Sequence, residues 1–421
     1  MIPFVKADIN SAPPGLEPPG NSRVLWMAFA AFSLGFGIWG MFSALGPFLI
    51  EWYHFSPSQT LFLAAMPPLF ATIVSIPLGV VTDRYGGRRV FAILLFTLLI
   101  PLIAALFADS YFMFLILGMM LGLGGASFVV GNAHVSVWYP QAKQGTALGI
   151  FALGNIGIAL GMVFVPLLIT VLGGPEGNTE FPPKFSIGPL AGWRIIFLIF
   201  AVPTLIMGIM YWTMTSEPPT RHRKLSFGQI AGVYTSGSLV WIVAYLYWTS
   251  FGTLTFFSAF TPIYLVDRWE IDGTTASMIY TSCIVVFVAI MRPLGGWLSD
   301  RFDPRKILTC FFALSLVLAS VLVAEMSFPT QVGAIFSLAL LSGASAACVV
   351  KLIPTYFTQV GTVSGLAKAA GAACGFTMST LMALSKHASG GYKYGFLAWA
   401  VMNVLALVFV LSPNTFNKER L

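Results

Sequence analysis

The chain has 421 residues, of which 57% are hydrophobic and only 9% are charged. Because soluble domains carry about 25% charged residues, this composition excludes a soluble globular protein and predicts a membrane protein. The formal net charge is +7, but no basic cluster belongs to a soluble domain, so nucleic-acid binding is excluded too. The four cysteines have neither disulfide-framework nor metal-ligand spacing, and we expect no metal and no cofactor.

The chain begins with a polar stretch, residues 1–22, which contains five prolines and predicts a disordered cytoplasmic tail. A transmembrane helix needs about 20 apolar residues. Twelve such segments follow the tail, starting near Leu25, Thr60, Val90, Tyr111, Gly145, Trp193, Leu239, Ala276, Ile307, Pro329, Gly361 and Tyr394. The polar stretch 215–235 reads as a cytoplasmic linker between six spans in 23–214 and six in 236–414, and 415–421 as a second tail.

Basic residues are unevenly distributed between the two ends of these spans. With both termini inside, fourteen lie on the cytoplasmic side, namely Lys6, Arg23, Arg84, Arg88, Arg89, Lys143, Arg221, Arg223, Lys224, Arg301, Arg305, Lys306, Lys418 and Arg420. Five lie on the other side, namely Lys184, Arg194, Arg268, Lys386 and Lys393. The positive-inside rule therefore predicts a multi-pass protein of the cell inner (plasma) membrane with both termini in the cytoplasm.

Two loop motifs repeat between the halves. The loop after the second span reads Gly79-Val-Val-Thr-Asp83-Arg84-Tyr-Gly-Gly-Arg88-Arg, and the loop after the eighth reads Gly296-Trp-Leu-Ser-Asp300-Arg301-Phe-Asp-Pro-Arg-Lys. The glycine permits close helix approach, and the aspartate and arginines can pair across the loop and a neighbouring helix end. The motif resembles that of the major facilitator superfamily. The resemblance implies an all-α membrane protein of twelve transmembrane helices in two pseudo-symmetric six-helix bundles.

A second repeat opens the fifth and eleventh spans. The fifth begins Gly145-Thr-Ala-Leu-Gly149 and the eleventh Gly361-Thr-Val-Ser-Gly365, an offset that agrees with that of the two aspartates to within one residue. Agreement of two separate offsets favours an internal duplication over chance.

Two lone cations break this repeat. Arg292 lies eight residues before Asp300, about 12 Å above the cytoplasmic loop, and Lys368 lies seven residues past Gly361, about 10 Å deep. A charge at this depth costs several kcal/mol, and no Asp or Glu lies mid-segment to neutralise either cation. Snorkelling toward an interface is the alternative interpretation. We predict instead that the missing anion is the cargo, because guanidinium matches a planar oxyanion and ammonium adds attraction.

Other polar and aromatic residues lie near this depth. Asn155, about 15 Å into the fifth span, can donate to an anion, and Tyr247 and Phe128 could wall it. Helix packing is the competing interpretation for the aromatic residues and for the glycines that flank Asn155.

The quoted segments resemble the nitrate/nitrite porter family over most of the chain. The similar stretches run from Gly124-Gly-Ala-Ser-Phe128 to Gly154-Asn-Ile-Gly157, and include Tyr247-Trp-Thr-Ser-Phe251-Gly252, Arg292-Pro293, Lys351-Leu-Ile-Pro354 and the glycines Gly365, Gly371 and Gly375. The resemblance implies that the anion site contains Arg292, Asn155, Tyr247, Phe128, Gly154 and Gly371. It also implies alternating access and a small anion substrate, and we expect a monomer in the lipid bilayer.

Two departures from the family bear on the site. The family has a second arginine in the second span where this chain has Ser75, and glycine is usual where Lys368 stands. The site therefore keeps a predicted charge of about +2 with one charge moved across the cavity. An arginine in the eighth span with a lysine in the eleventh also resembles the oxalate/formate exchangers.

Nitrate/nitrite exchange is thus the preferred function, with a small-carboxylate exchanger and a proton-coupled anion symporter as alternatives. A receptor or sensor would be expected to carry a soluble signalling domain, which is missing from these 421 residues, and an enzyme is not expected because no buried acid/base pair or nucleotide loop is present. Proton coupling commonly uses an intramembrane carboxylate. His134 is the only titratable candidate, and the pattern favours helix packing for it.

Overall fold

The computed structural model describes residues 18, 20–55, 57–175, 184, 192–218, 226–271, 275–412 and 415–416. Within these residues the chain is helical and has no strand. The predicted tail 1–22 lies almost entirely outside the described residues, as do 219–225 of the linker and most of 415–421. Six of the predicted cytoplasmic cations also lie outside the described residues, namely Lys6, Arg221, Arg223, Lys224, Lys418 and Arg420.

Twelve helical spans follow one another in the order that the apolar pattern predicts. In the first half they are Ser22–Tyr53, Pro57–Tyr85, Gly87–Ala104, Tyr111–Leu121 continued by Leu123–Ser136, Gln141–Ala152 continued by Ile156–Leu172, and Ile195–Met214. In the second half they are Leu239–Trp269, Ser282–Arg301, Pro304–Val323, Phe328–Tyr356, Val360–Ser389 and Lys393–Leu411.

Eleven of the described spans are long and apolar enough to cross a membrane by length and composition alone. The eleventh span, Val360–Ser389, is the one that composition misses, because it is rich in small and polar residues. It has 30 residues, so its length of about 45 Å exceeds the bilayer core. It packs between the second and seventh spans. Its polar residues can therefore contact protein instead of lipid.

A short 3-10 turn interrupts the fifth span at the depth of the predicted site. The fifth span ends as an α-helix at Ala152, continues as a 3-10 turn Leu153–Asn155 and resumes at Ile156. The apolar pattern predicts one uninterrupted helix here. A 3-10 stretch inside a helix often marks a functional hinge, and this one places Asn155 at the interruption.

Two glycine crossings join the halves on the side of the repeated loops. Gly79 of the second span lies against Gly361 of the eleventh, and Gly145 of the fifth lies against Gly296 of the eighth. A Cβ on Gly145 would lie 2.5 Å from the carbonyl oxygen of Gly296, so only glycine allows the backbones to meet. The two crossings are related by the internal repeat, and together they close this end of the molecule.

The linker forms a short helix against the second-span side of this closed end. Phe227–Ala231 starts with a capping box in which Ser226 accepts from the Gln229 backbone and the Gln229 side chain accepts from Ser226. The Tyr234 hydroxyl donates to the Thr362 carbonyl at 3.2 Å. Burial, with Asp83 nearby, raises the pKa of Tyr234 to about 12, so the hydroxyl stays a donor at neutral pH.

Candidate functional site

Arg292 is a fully buried cation in the middle of the eighth span, with 0% of its surface exposed. Its Nη2 donates to the Tyr247 hydroxyl over 3.5 Å, a long hydrogen bond. Its Cζ lies 5.8 Å from the ring centroid of Phe128 and 5.1 Å from that of Phe251. Nε and Nη1 have no hydrogen-bond partner among the described residues. Aromatic faces thus attract the guanidinium without using its donors.

Lys368 is the second buried cation, on the eleventh span, and is 1% exposed. Its Nζ lies 4.1 Å from the ring centroid of Phe251, 5.0 Å from that of Phe36 and 5.6 Å from that of Trp39. The described part of the chain offers Nζ no hydrogen-bond partner. The side chain of Lys368 is therefore buried inside the protein and does not extend toward an interface. The alternative interpretation of Lys368, snorkelling, is wrong.

The two cations lie against the same ring, that of Phe251. Neither takes part in an ion pair within the described ranges. Two like charges held together in a low-dielectric site repel each other, and their unused donors lack the bonds that buried polar groups require. An anion between or beside them would satisfy both deficits at once.

Asn155 adds a further unused polar group. It is 0% exposed, and neither its Oδ1 nor its Nδ2 has a partner among the residues that the structure describes. The 3-10 turn that carries it packs against the eighth span, which carries Arg292. The amide can donate to an anion oxygen.

Aromatic rings form the wall on which the cations lie. Phe128 and Tyr247 stack with centroids 6.0 Å apart, and Tyr247 stacks on Phe251 at 5.2 Å. Tyr247 and Phe128 thus lie beside Arg292. Phe251, Phe36 and Trp39 were not predicted as site residues. The available signal for Phe251 was its place one helical turn after Tyr247, on the same helix face.

The two predicted glycines lie against aromatic rings and leave no room for a larger residue. A Cβ on Gly371 would lie 2.8 Å from Cδ1 of Phe251 and 3.1 Å from Cδ1 of Tyr247. Gly154 lies against the ring of Phe32, and a Cβ there would also lie 3.1 Å from Oγ of Ser33. Both glycines therefore position the rings.

Ser75 lies at the crossing of the second and eleventh spans. Its hydroxyl donates to the Ala71 carbonyl of its own helix at 2.6 Å, and its carbonyl oxygen lies against Gly365. Lys368 is three residues beyond Gly365 on the eleventh span, so the two positions lie about one turn apart along this crossing. A cation at position 368 could therefore reach the same part of the site as a cation at position 75.

Asp300 joins the two halves at the fifth and eighth spans. Its carboxylate accepts from the backbone N–H of Gly145 at 2.7 Å and from the N–H and hydroxyl of Thr146 at 2.6 and 2.7 Å. The Nζ of Lys351, from the tenth span, donates to it at 2.9 Å and also to the Gln141 carbonyl. Lys351 in this role was not predicted.

Asp83 makes the equivalent contacts at the second and eleventh spans. It accepts from the N–H of Gly361 at 2.8 Å and from the N–H and hydroxyl of Thr362, both at 2.7 Å. The repeat therefore holds the halves together twice with the same chemistry. We call the two sets the Asp83 latch and the Asp300 latch.

The arginines of the loop motifs pack on aromatic rings. Arg84 stacks on Phe227 of the linker helix with Cζ 4.0 Å from the centroid, and Arg301 on Trp297 at 4.3 Å. Arg88 donates through Nε and Nη2 to the Trp212 carbonyl at 2.8 and 2.5 Å. The described contacts of the two aspartates are instead with the helix ends of the opposite bundle. The sequence predicts pairing of the aspartates with the arginines, whereas the described partners of Arg84 and Arg301 are aromatic rings.

His134 lies away from the two cations, at the end of the fourth span. Its Nδ1 is 2.7 Å from the Tyr211 hydroxyl, and its Nε2 is 3.0 Å from the Ser216 carbonyl. These contacts join the fourth span to the end of the sixth and agree with the predicted packing role.

Replacing Asp83 by asparagine should loosen the Asp83 latch. Hydrogen bonds to a charged acceptor contribute about 1.5–3 kcal/mol each, and the amide keeps only one acceptor oxygen. Spin labels at the exposed residues Tyr85 and Thr358 should report a larger share of long distances in Asp83→Asn. Asp303→Asn is the matched control, since this loop carboxylate bonds only locally to Arg305. An unchanged distance distribution in Asp83→Asn would contradict the latch.

Comparisons with known proteins agree on the family and the fold. The family described as Major Facilitator Superfamily matches residues 27–268 and 243–420. The probable nitrate/nitrite antiporter NarK1 of Thermus thermophilus is 32% identical over 399 residues, which cover 89% of this chain and 87% of the relative. The nitrite extrusion protein of Bacillus subtilis is 27% identical over 93% of this chain and 94% of the relative.

Solved structures similar to this one support the fold alone. The fucose:proton symporter of E. coli has a TM-score of 0.71 at 16% identity, over 91% of this chain and 97% of that one. The human organic anion transporter MFSD10 has a TM-score of 0.70 at 14% identity, over 93% of this chain and 99% of that one. The two-bundle architecture is therefore shared where little of the sequence is.

Proposed function

The chain belongs to the major facilitator superfamily and, within it, to the nitrate/nitrite porters, and from this membership we propose that it exchanges nitrate and nitrite across the membrane. The observation that carries the proposal is the pair Arg292 and Lys368, both buried against Phe251 with unused donors. The relatives' names, a nitrate/nitrite antiporter and a nitrite extrusion protein, support the same anions.

The guanidinium of Arg292 selects for shape. Its Nε and Nη1 have no partner among the described residues, and each forms with Nη2 a pair of parallel N–H donors that matches two oxygens of a trigonal anion. Lys368 supplies a point charge beside the same ring, from the eleventh span. Asn155 can donate to the third oxygen. These contacts would replace the water around a small planar anion. The cost of ordering the donors would be low, because they are already held in place.

The latches set the alternating-access step. While both are formed, the loop side of the molecule is closed and the cations are buried. Release of an anion on that side requires Asp83 to leave Gly361 and Thr362, and Asp300 to leave Gly145 and Thr146. Lys351 and Asp300 belong to the same bundle, so this ion pair survives opening. The carboxylate of Asp300 therefore stays neutralised by Lys351 when the anion leaves past it.

Exchange follows from the charges of the site. Without an anion the two cations repel, and the closed intermediate that must form between inward and outward states would bury an uncompensated double charge. A bound anion removes that cost, so the loaded transporter should interconvert faster than the unloaded one. We place the protein in the cell inner membrane as a monomer, with both termini and the latches in the cytoplasm.

We expect nitrate counterflow to depend on an internal anion. The protein is reconstituted into liposomes that contain nitrite, oxalate or neither, and uptake of labelled nitrate is measured. Uptake into nitrite-loaded vesicles should exceed uptake into vesicles without a substrate anion at least tenfold. Equal rates with a proton gradient imposed would favour proton symport, and a preference for internal oxalate would favour the small-carboxylate exchanger that Lys368 also suits.

A further inference from the structure

A groove of about 270 Å³ lies on the outer surface between the third and sixth spans. Its lining is apolar apart from one threonine and consists of Ile93, Phe96, Ile209, Trp212 and Thr213. Ile93 is 59% exposed and Ile209 50%. We call this feature the 3/6 groove. It is separate from the anion site and from both latches.

A glycine deepens the groove. A Cβ on Gly208 would lie 2.8 Å from Cε1 of Phe96, so the Phe96 ring rests directly on the backbone of the sixth span. The side chains of Ile93 and Ile209 line the groove together with this ring. Any larger residue at 208 would lift the ring and fill the groove.

Basic residues stand at the cytoplasmic end of the groove. Arg89, Ile93 and Phe96 are spaced i, i+4 and i+7, which puts them on one helix face. Arg89 is exposed. Arg88 is fixed beside it, with its Cζ 5.2 Å from the Trp212 ring and its Nε and Nη2 on the Trp212 carbonyl.

Among the described residues, one acidic side chain, that of Glu217, forms a hydrogen bond at this cluster. The Glu217 carboxylate accepts from the backbone N–H of Arg88 at 2.8 Å, where it binds the N-terminus of the third span. Arg88 and Arg89 together outweigh this single charge, so the end of the groove is net positive. Trp212 has the amphipathic ring that is typical of the headgroup level.

We propose that the 3/6 groove binds an anionic phospholipid, with the headgroup at Arg89 and Arg88 and one acyl chain along Ile93, Phe96 and Ile209. Phe96 lies seven residues after Arg89, which is about 10 Å along the helix. An acyl chain whose headgroup is at Arg89 would therefore reach Phe96. Basic pockets between transmembrane helices on the cytoplasmic side bind acidic headgroups for the same reason of charge. A zwitterionic lipid would gain the apolar contacts but not the net attraction.

Tryptophan quenching tests the proposal, because Trp212 lines the groove. The full chain is reconstituted into phosphatidylcholine vesicles with increasing fractions of dibrominated phosphatidylglycerol or dibrominated phosphatidylcholine. The Trp212 signal is the difference between the wild type and Trp212→Phe. Half-maximal quenching of this signal should need at least threefold less of the anionic lipid than of the zwitterionic one.

Two variants separate a headgroup site from general attraction to a charged surface. Arg89→Gln should remove the preference for phosphatidylglycerol and leave quenching by phosphatidylcholine unchanged. Lys306→Gln is the matched control, because Lys306 is the repeat counterpart of Arg89 and is also exposed, and it should keep the preference. Equal quenching of the wild type by both lipids, or a preference that survives Arg89→Gln, would overturn the proposal.

Discussion

Lys368→Ala should lower the affinity for nitrate by about 30-fold or more. The variant removes one of the two buried charges beside the Phe251 ring. Among the described residues, Nζ of Lys368 has no hydrogen-bond partner that would otherwise explain a buried lysine here. A single charge–anion contact in a desolvated site contributes roughly 2–5 kcal/mol, which corresponds to a loss of about 30-fold or more in affinity. Nitrate binding to the purified protein, measured by calorimetry, gives the loss directly.

A second substitution should partly reverse this loss. Ser75 faces the eleventh span about one turn from Lys368, and removal of the lysine side chain frees volume there. Ser75→Arg in the Lys368→Ala background should therefore return a cation to the site and recover part of the binding. Lys393→Ala is the matched control, since Lys393 is an exposed lysine at the start of the twelfth span. Normal nitrate affinity in Lys368→Ala would refute a direct role for the lysine.

Arg292→Lys should lower nitrate transport at least tenfold, although the charge is kept. Ammonium cannot present two coplanar donors, so the variant loses one of two parallel hydrogen bonds, about 1.4 kcal/mol or more. It also loses the stacking of the guanidinium near Phe128 and Phe251. Initial rates of nitrate–nitrite exchange in liposomes measure the effect.

The same substitution on the surface provides the control. Arg268→Lys changes an exposed arginine in the last turn of the seventh span and should leave the exchange rate within twofold of wild type. If Arg292→Lys also retains a near-normal rate, with equal protein in the membrane, the planar fork is not what selects the anion.

The number of spans, the internal repeat and the two deep cations could all be predicted from the sequence. Each depends on local information: the length of an apolar run, the offset between matched motifs, or the distance along one helix from a loop. The departures at Ser75 and Lys368 were visible for the same reason. The eleventh span, which a threshold on length and composition misses, is also among the twelve predicted segments, and its opening glycines repeat those of the fifth.

Only the tertiary structure decided which groups meet. Asp83 and Gly361 are separated by 278 residues of sequence and Asp300 and Gly145 by 155, and no local pattern states that a loop carboxylate will bind the helix end of the other bundle. The shared contact of Arg292 and Lys368 with Phe251 depends on how the seventh, eighth and eleventh spans cross. Lys351 likewise becomes the partner of Asp300 only through packing. Buried polar groups take their partners from whatever the fold brings within hydrogen-bonding distance, and that is a property of the packed helices.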